Sequence, residues 1–147
     1  MQILMIYIIG AIIGFVVGVI FQAVNLFVSM AQYSILFSFT YASIGRFIPN
    51  VRASLIRMVP PPIPFPTMMI YGTGIIELVI AFTVFNAQLR SIASLLGTLL
   101  CILLFPANIY AYRQNIDFNN QPPTNIYLRF VVQILFILSF MMILFYA

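Results

Sequence analysis

The fold is decided by residues 3–21, which read ILMIYIIGAIIGFVVGVIF and carry no charge. An α-helix rises ~1.5 Å per residue, so a stretch of this length spans close to the ~30 Å of hydrocarbon in a bilayer. A helix in the core of a soluble protein is shorter and keeps one polar face. Residues 3–21 therefore predict a membrane-spanning helix.

The composition of the whole chain points to the same environment. Of its 147 residues, 64% are hydrophobic and 5% are charged. A soluble domain with that balance would have too few polar side chains to cover its surface. We therefore predict an all-α protein, a polytopic transmembrane helix bundle.

The side chains that carry most metal and redox chemistry are scarce. The chain has no histidine and one cysteine, Cys101, which excludes an intrachain disulfide, a Cys-x-x-Cys pair, histidine-ligated haem and ordinary zinc sites. The six arginines are scattered, which does not fit a nucleic-acid partner. We expect no metal, and we expect no enzyme acting alone, because no nucleophile and base can be paired.

Five apolar runs predict five spans, at residues 3–21, 26–44, 67–85, 92–112 and 126–146. Residues 1–45 carry no charge and would form a helix ~68 Å long, so we divide them near Gln22 to Asn25. A cleaved signal peptide is the alternative for the first twenty residues, although a basic start and a cleavage site are missing. Without that span, only the position of the N-terminus would change.

Arginines in the polar connections predict the orientation, because arginine is retained preferentially on the cytoplasmic side. Two connections, residues 46–66 and 113–125, lie on one side of a five-span chain. The five arginines in or beside them are Arg46, Arg52, Arg57, Arg113 and Arg129, whereas the other side has only Arg90. Both connections are therefore predicted to be cytoplasmic.

Two ridges of small residues predict close helix packing. They are Gly10, Gly14 and Gly18 in the first span and Ser34, Ser38 and Ala42 in the second. Small residues four apart remove bulk from one helix face and let another backbone approach. The ridges favour packing of these two helices within one chain, and homodimerisation is the alternative.

Glu77 is the most informative single residue, because it lies about ten residues inside its span. A charge at that depth costs ~2.5–3.5 kcal/mol on insertion scales, so it must face the bundle interior and find partners. Asn108, Arg129 and Gln133 are predicted to lie towards the same side and to line one polar cavity with Glu77, capped by Arg46. The alternative is that these residues only join helices through hydrogen bonds.

Several short motifs follow one another in a recognisable order across roughly residues 26–140. They are Arg46-Phe47, Pro49, Met58-Val59-Pro60-Pro61, Pro64, Pro66, Gly74-x-x-Glu77, Phe105-Pro106-Ala107-Asn108, Leu128-Arg129 and Gln133. In this order the chain resembles the DoxX-like family of small bacterial membrane proteins. The resemblance implies a four-helix membrane domain at residues 23–147, an extra N-terminal helix at residues 1–22, and an association with redox chemistry in the bacterial inner membrane.

The leading hypothesis for function is an accessory subunit whose polar cavity binds a quinone or a lipid-like molecule. Its expected partners are membrane lipid and either a second copy of the chain or a membrane redox protein. A redox partner or a bound small molecule would have to carry electrons, because the chain has no dithiol. One alternative is a small proton-coupled transporter or exporter that uses Glu77. A second is a structural or assembly factor that acts through the glycine ridge.

Overall fold

The computed structural model describes residues 2–117 and 125–146. Within these ranges the chain forms six α-helices and no strand, which confirms the prediction of an all-α protein. The helices are α1 (Gln2–Ile20), α2 (Leu26–Phe47), α3 (Pro49–Met58), α4 (Pro66–Thr83), α5 (Arg90–Arg113) and α6 (Ile126–Tyr146). Part of the predicted connection at 113–125, residues 118–124, lies outside the described residues.

Four of these helices, α1, α4, α5 and α6, are long and apolar enough to cross a membrane. The chain is therefore a multi-pass membrane protein. At 22 residues, α2 falls within the same range of lengths but contains more hydroxyl and amide side chains. Its Ser34, Ser38 and Ser43 are buried against neighbouring helices, where lipid does not reach them.

The break between α1 and α2 falls within the uncharged start of the chain, at residues 21–25. Gln22 has a left-handed backbone with φ 51°, which turns the chain out of α1. The side chain of Asn25 then accepts hydrogen bonds from the backbone N–H groups of Phe27 and Val28 and so caps the start of α2. These local features split the stretch into two helices, as the sequence predicted.

The first glycine ridge packs α1 against α2 within the chain. Its three members, Gly10, Gly14 and Gly18, are all buried. A Cβ on Gly14 would lie 2.5 Å from the backbone oxygen of Ser29, so the two backbones approach to a distance that only glycine allows. Beside this contact, the Ser34 hydroxyl donates to the backbone oxygen of Tyr7 at 3.1 Å. The glycine face is therefore covered by α2.

The three members of the second predicted ridge have different surroundings. Ser34 bonds to α1, Ser38 is fully buried, and Ala42 lines the cavity described below.

The structure corrects the prediction that residues 46–66 are only a polar connection, because α3 occupies Pro49–Met58. Pro49 stands at the start of the helix, where its missing N–H is no loss. Ser54 and Met58, four residues apart, are buried on one face of α3. The proline-rich segment that follows makes a turn, in which the Ile63 N–H donates to the Pro60 oxygen at 3.1 Å, and α4 begins at Pro66.

Three phenylalanines form the centre of the core between α2 and α6. The ring of Phe39 lies 5.4 Å from Phe136 and 5.5 Å from Phe140, and both pairs meet edge to face. On α5, Gly97 leaves room for the Phe140 ring, which a Cβ at that position would overlap. The core therefore joins α2, α5 and α6.

Hydrogen bonds at one end of the bundle show which segments lie together. The Tyr41 hydroxyl donates to Gln2 Oε1 at 2.6 Å, which places the start of α1 beside the end of α2. Arg57 Nη2 donates to the backbone oxygen of Asp117 at 3.4 Å, which places α3 beside the end of α5. Residues 46–66 and the start of the 113–125 connection therefore share one end of the bundle.

Candidate functional site

A buried ion pair joins α2 to α4. Arg46 Nη2 donates to Glu77 Oε1 at 2.6 Å, and Arg46 Nε donates to Oε2 at 3.1 Å. The Arg46 and Glu77 side chains are only 8% and 6% exposed. Two parallel hydrogen bonds are the geometry in which a guanidinium binds a carboxylate best. The pair has no net charge, which lowers the cost of burying Glu77 deep in its helix.

Gly74, one turn before Glu77, makes room for the arginine. A Cβ at Gly74 would lie 2.8 Å from Arg46 Cδ, so the stem of Arg46 passes directly over this glycine. Beside it, the Ser43 hydroxyl donates to the backbone oxygen of Gly74 at 2.8 Å. In the motif Gly74-x-x-Glu77, the glycine therefore leaves room for the Arg46 side chain and the glutamate supplies the carboxylate that binds it. Sequence reasoning missed this role of Gly74 and Ser43.

Beside the ion pair lies a cavity of about 240 Å³, which we call the polar cavity. Its polar side chains come from four helices and are Arg46, Thr73, Glu77, Asn108 and Gln133. Apolar side chains, among them Phe39, Ile70, Leu104 and Phe136, form most of the remaining wall. The polar cavity is therefore an apolar space in which a few hydrogen-bonding groups converge.

The five predicted site residues come together, but not in the predicted arrangement. Arg46 does not cap the opening; it forms part of the wall and is bonded to Glu77. Asn108 and Gln133 line the polar cavity, whereas Arg129 is not among the lining residues. Arg129 Nη1 instead donates to Asn108 Oδ1 at 3.3 Å and so holds the amide of a residue that lines the cavity.

The Gln133 side chain has a buried amide oxygen, Oε1, that lacks a hydrogen-bond partner among the described residues. A buried amide without a partner costs ~1–3 kcal/mol relative to one that is hydrogen-bonded. A group that enters the polar cavity and bonds to Gln133 would recover that free energy.

Helix α3 contributes part of the wall that the sequence did not predict. Leu55 and Met58 of α3 line the polar cavity, and so do Val59 and Pro60, which follow α3 in the chain. They lie in the segment that the sequence predicts to be a polar connection, so no sequence pattern assigned them to the interior. Part of the cavity wall at the arginine-rich end of the bundle is therefore apolar.

The polar cavity offers hydrogen-bond donors from Arg46. Arg46 uses Nε–H and one Nη2–H on Glu77, which leaves its other N–H groups as donors. In the part of the chain that the structure describes, no three His, Cys, Asp or Glu side chains are grouped to hold a metal ion. The site can therefore donate and accept hydrogen bonds next to an apolar wall.

Comparison with known proteins places the chain in a family. The family model described as Domain of unknown function (DUF8561) matches residues 39–143. The chain belongs to this family. No curated protein and no solved structure matches the chain.

The part of the chain that matches DUF8561 contains the whole polar cavity except Ile3. Arg46, Glu77, Asn108, Arg129 and Gln133 all fall inside residues 39–143. Helix α1 and its glycine ridge fall outside that range, although α1 packs closely on α2. The site therefore belongs to the region by which DUF8561 is defined.

Proposed function

We propose that this chain binds a small amphipathic molecule inside the membrane, as a DoxX-like accessory subunit whose ligand is a quinone or a lipid-like molecule. The observation that carries the proposal is the polar cavity, where the Arg46–Glu77 pair and the unpartnered Gln133 meet apolar walls. Ligand sites in proteins combine a mainly apolar lining with a few placed polar groups, as this cavity does.

The size of the polar cavity supports a ring as the bound group. An apolar cavity of ~150 Å³ is known to hold benzene, and the polar cavity measures about 240 Å³. The free N–H groups of Arg46 would donate to a carbonyl or hydroxyl oxygen on that ring, and Gln133 Oε1 would accept from a hydroxyl. These two contacts would orient the ring beside the ion pair.

The proposed setting is the bacterial inner membrane, with α1, α2, α4, α5 and α6 as five crossings. Helix α2 runs antiparallel along α1, which supports a crossing for α2 despite its polar residues. The arginine-rich end with residues 46–66 and 113–125 would then face the cytoplasm. In a redox system the electrons would be carried by the bound molecule or by a partner protein.

Proton-coupled transport is a second candidate, because a carboxylate lines a cavity inside a membrane bundle. In that case Glu77 would exchange its bond to Arg46 for a proton during the cycle. The proposal predicts pH-dependent flux in proteoliposomes that Glu77→Gln abolishes. Flux that survives the substitution would exclude this candidate.

The binding proposal is tested with the purified chain in mild detergent. Bound quinones and lipids are extracted and quantified by mass spectrometry, and the protein is then reloaded with a methylated benzoquinone. We expect the wild type to retain a ring-headed molecule and Gln133→Leu to retain about two- to tenfold less, the effect of one hydrogen bond worth ~0.5–1.5 kcal/mol. Gln88→Leu makes the same chemical change in an exposed turn and should match the wild type.

Two results would contradict the binding proposal. One is a wild-type protein that neither carries nor accepts a ring-headed molecule. The other is equal retention by the wild type, Gln133→Leu and Gln88→Leu, which would place the bound molecule outside the polar cavity.

A further inference from the structure

A second cavity borders the polar cavity. It measures about 200 Å³ and lies between α5 and α6, and we call it the α5–α6 groove. Its lining consists of Cys101, Ile102, Phe105, Phe130, Gln133, Ile134 and Ile137. Cys101 and Gln133 also line the polar cavity, so these two side chains form the partition between the two spaces.

The α5–α6 groove leads from the interior to the lipid-facing surface. Cys101, at its inner end, is 4% exposed, whereas Ile102 and Phe130, at its outer side, are 55% and 49% exposed. Among the described residues, no polar atom faces the groove. The groove therefore offers hydrocarbon contacts along a path that begins at Gln133 and ends in the bilayer.

We propose that the ligand of the polar cavity is an amphiphile with a ring-sized head and one hydrocarbon tail, and that the tail passes Gln133 and Cys101 into the α5–α6 groove. This inference rests on the proposed function, and it adds the class of ligand and the path of its tail. A compact solute that is polar on all sides does not fit, because the groove provides no hydrogen-bonding group for it.

The volumes support an occupant that is divided between the two spaces. Pockets that bury small organic molecules usually measure ~300–1,000 Å³. The polar cavity, at about 240 Å³, and the groove, at about 200 Å³, each fall below that range and together fall within it. A head in the first and the adjoining part of a tail in the second would use both spaces and the partition between them.

The partition itself favours the same arrangement. Gln133 contributes a buried amide oxygen that has no partner among the described residues, and a hydroxyl of the head would bond to it. Cys101 is small, so the partition at this point has little bulk between the two spaces. The head would therefore stay beside Arg46 and Glu77 while the tail extends outward.

Photocrosslinking tests the path of the tail. The probe is a methylated benzoquinone with a decyl tail that carries a diazirine near the ring, and it is bound to the purified full chain in lipid nanodiscs. We expect adducts on residues that line the α5–α6 groove, mapped by peptide mass spectrometry. An excess of the same ring without a tail should remove these adducts, because it displaces the head from the polar cavity.

A filled groove provides the second arm of the test. Ile134 lines the groove at its lipid side, and Ile134→Trp would occupy part of that space. We expect groove adducts to fall about tenfold, the change that ~1.4 kcal/mol of lost fit produces, while retention of the tailless ring stays unchanged. Ile76→Trp is the matched control, because Ile76 is an exposed residue of α4 that lines neither cavity.

Each remaining outcome decides against the inference in a distinguishable way. Adducts that persist in excess tailless ring would show that the groove is an ordinary lipid crevice. Adducts on α4 or around the whole bundle, with the ring still retained, would overturn the tail path and leave the proposed function standing. Failure of the wild type to retain the tailless ring would overturn both.

Discussion

Removing one partner of the Arg46–Glu77 pair is expected to destabilise the bundle far more than removing both. Glu77→Leu leaves the Arg46 guanidinium buried without the two hydrogen bonds that it makes at 2.6 and 3.1 Å. Two unit charges ~4 Å apart attract each other by about 4 kcal/mol at an effective dielectric constant of ~20. Breaking a buried pair costs ~3–5 kcal/mol. Arg46→Leu and Glu77→Leu should each lower the free energy of unfolding by about that amount.

The double variant Arg46→Leu with Glu77→Leu contains no buried charge at this position. Replacing a buried pair by apolar side chains is often neutral or stabilising. We therefore expect its free energy of unfolding to lie within about 1 kcal/mol of the wild-type value. The same variant should lose retention of the ring-headed probe, because the polar cavity loses the N–H donors of Arg46.

Unfolding is measured by circular dichroism in mixtures of dodecyl maltoside and SDS, because the chain contains no tryptophan for fluorescence. Asp117→Asn alters the only other carboxylate side chain, at an exposed position, and should change stability by less than about 0.5 kcal/mol. If the double variant loses as much stability as the two single variants combined, the two side chains do not act as a pair and the reasoning is refuted.

Two glycine substitutions test the packing of the bundle by thermal unfolding. Gly14→Ala places a Cβ 2.5 Å from the backbone oxygen of Ser29 and should cost ~1–3 kcal/mol through overpacking, whereas Gly72→Ala meets nothing within 4 Å and should leave the melting temperature unchanged. Equal melting temperatures for the two variants would contradict the close approach of α1 and α2. Gly97→Ala overlaps the Phe140 ring and should also destabilise the fold. Adding Phe140→Leu should recover stability, and a double variant that is less stable than Gly97→Ala alone would argue against this contact.

The ion pair shows where prediction from sequence reached its limit. The depth of Glu77 in its span predicted a polar partner, and both Arg46 and Arg129 were candidates. The structure pairs Glu77 with Arg46, and beside this pair a hydrogen bond from Ser43 to Gly74 also joins α2 to α4. Arg129 lies on α6 and bonds to Asn108 of α5 instead. That choice depends on which helices are neighbours, and no local pattern contains it.

Helix α3 shows a second limit. A helix of ten residues is too short to be stable in isolation, and its helicity comes from packing. The surrounding prolines indicated a connection, and no sequence pattern assigned Ser54 and Met58 to a buried face. The contribution of Leu55 and Met58 to the polar cavity followed only from that assembly.

By itself, the sequence determined the solvent of this protein and the positions of its long helices. A backbone in hydrocarbon must satisfy its hydrogen bonds within each helix, so runs of about 20 apolar residues can be recognised one at a time. Only the tertiary structure decided which faces meet, that α2 covers the glycine ridge, and that the polar cavity adjoins the α5–α6 groove. In lipid all apolar faces are nearly equivalent, so these choices depend on close packing and polar pairing between residues far apart in the chain.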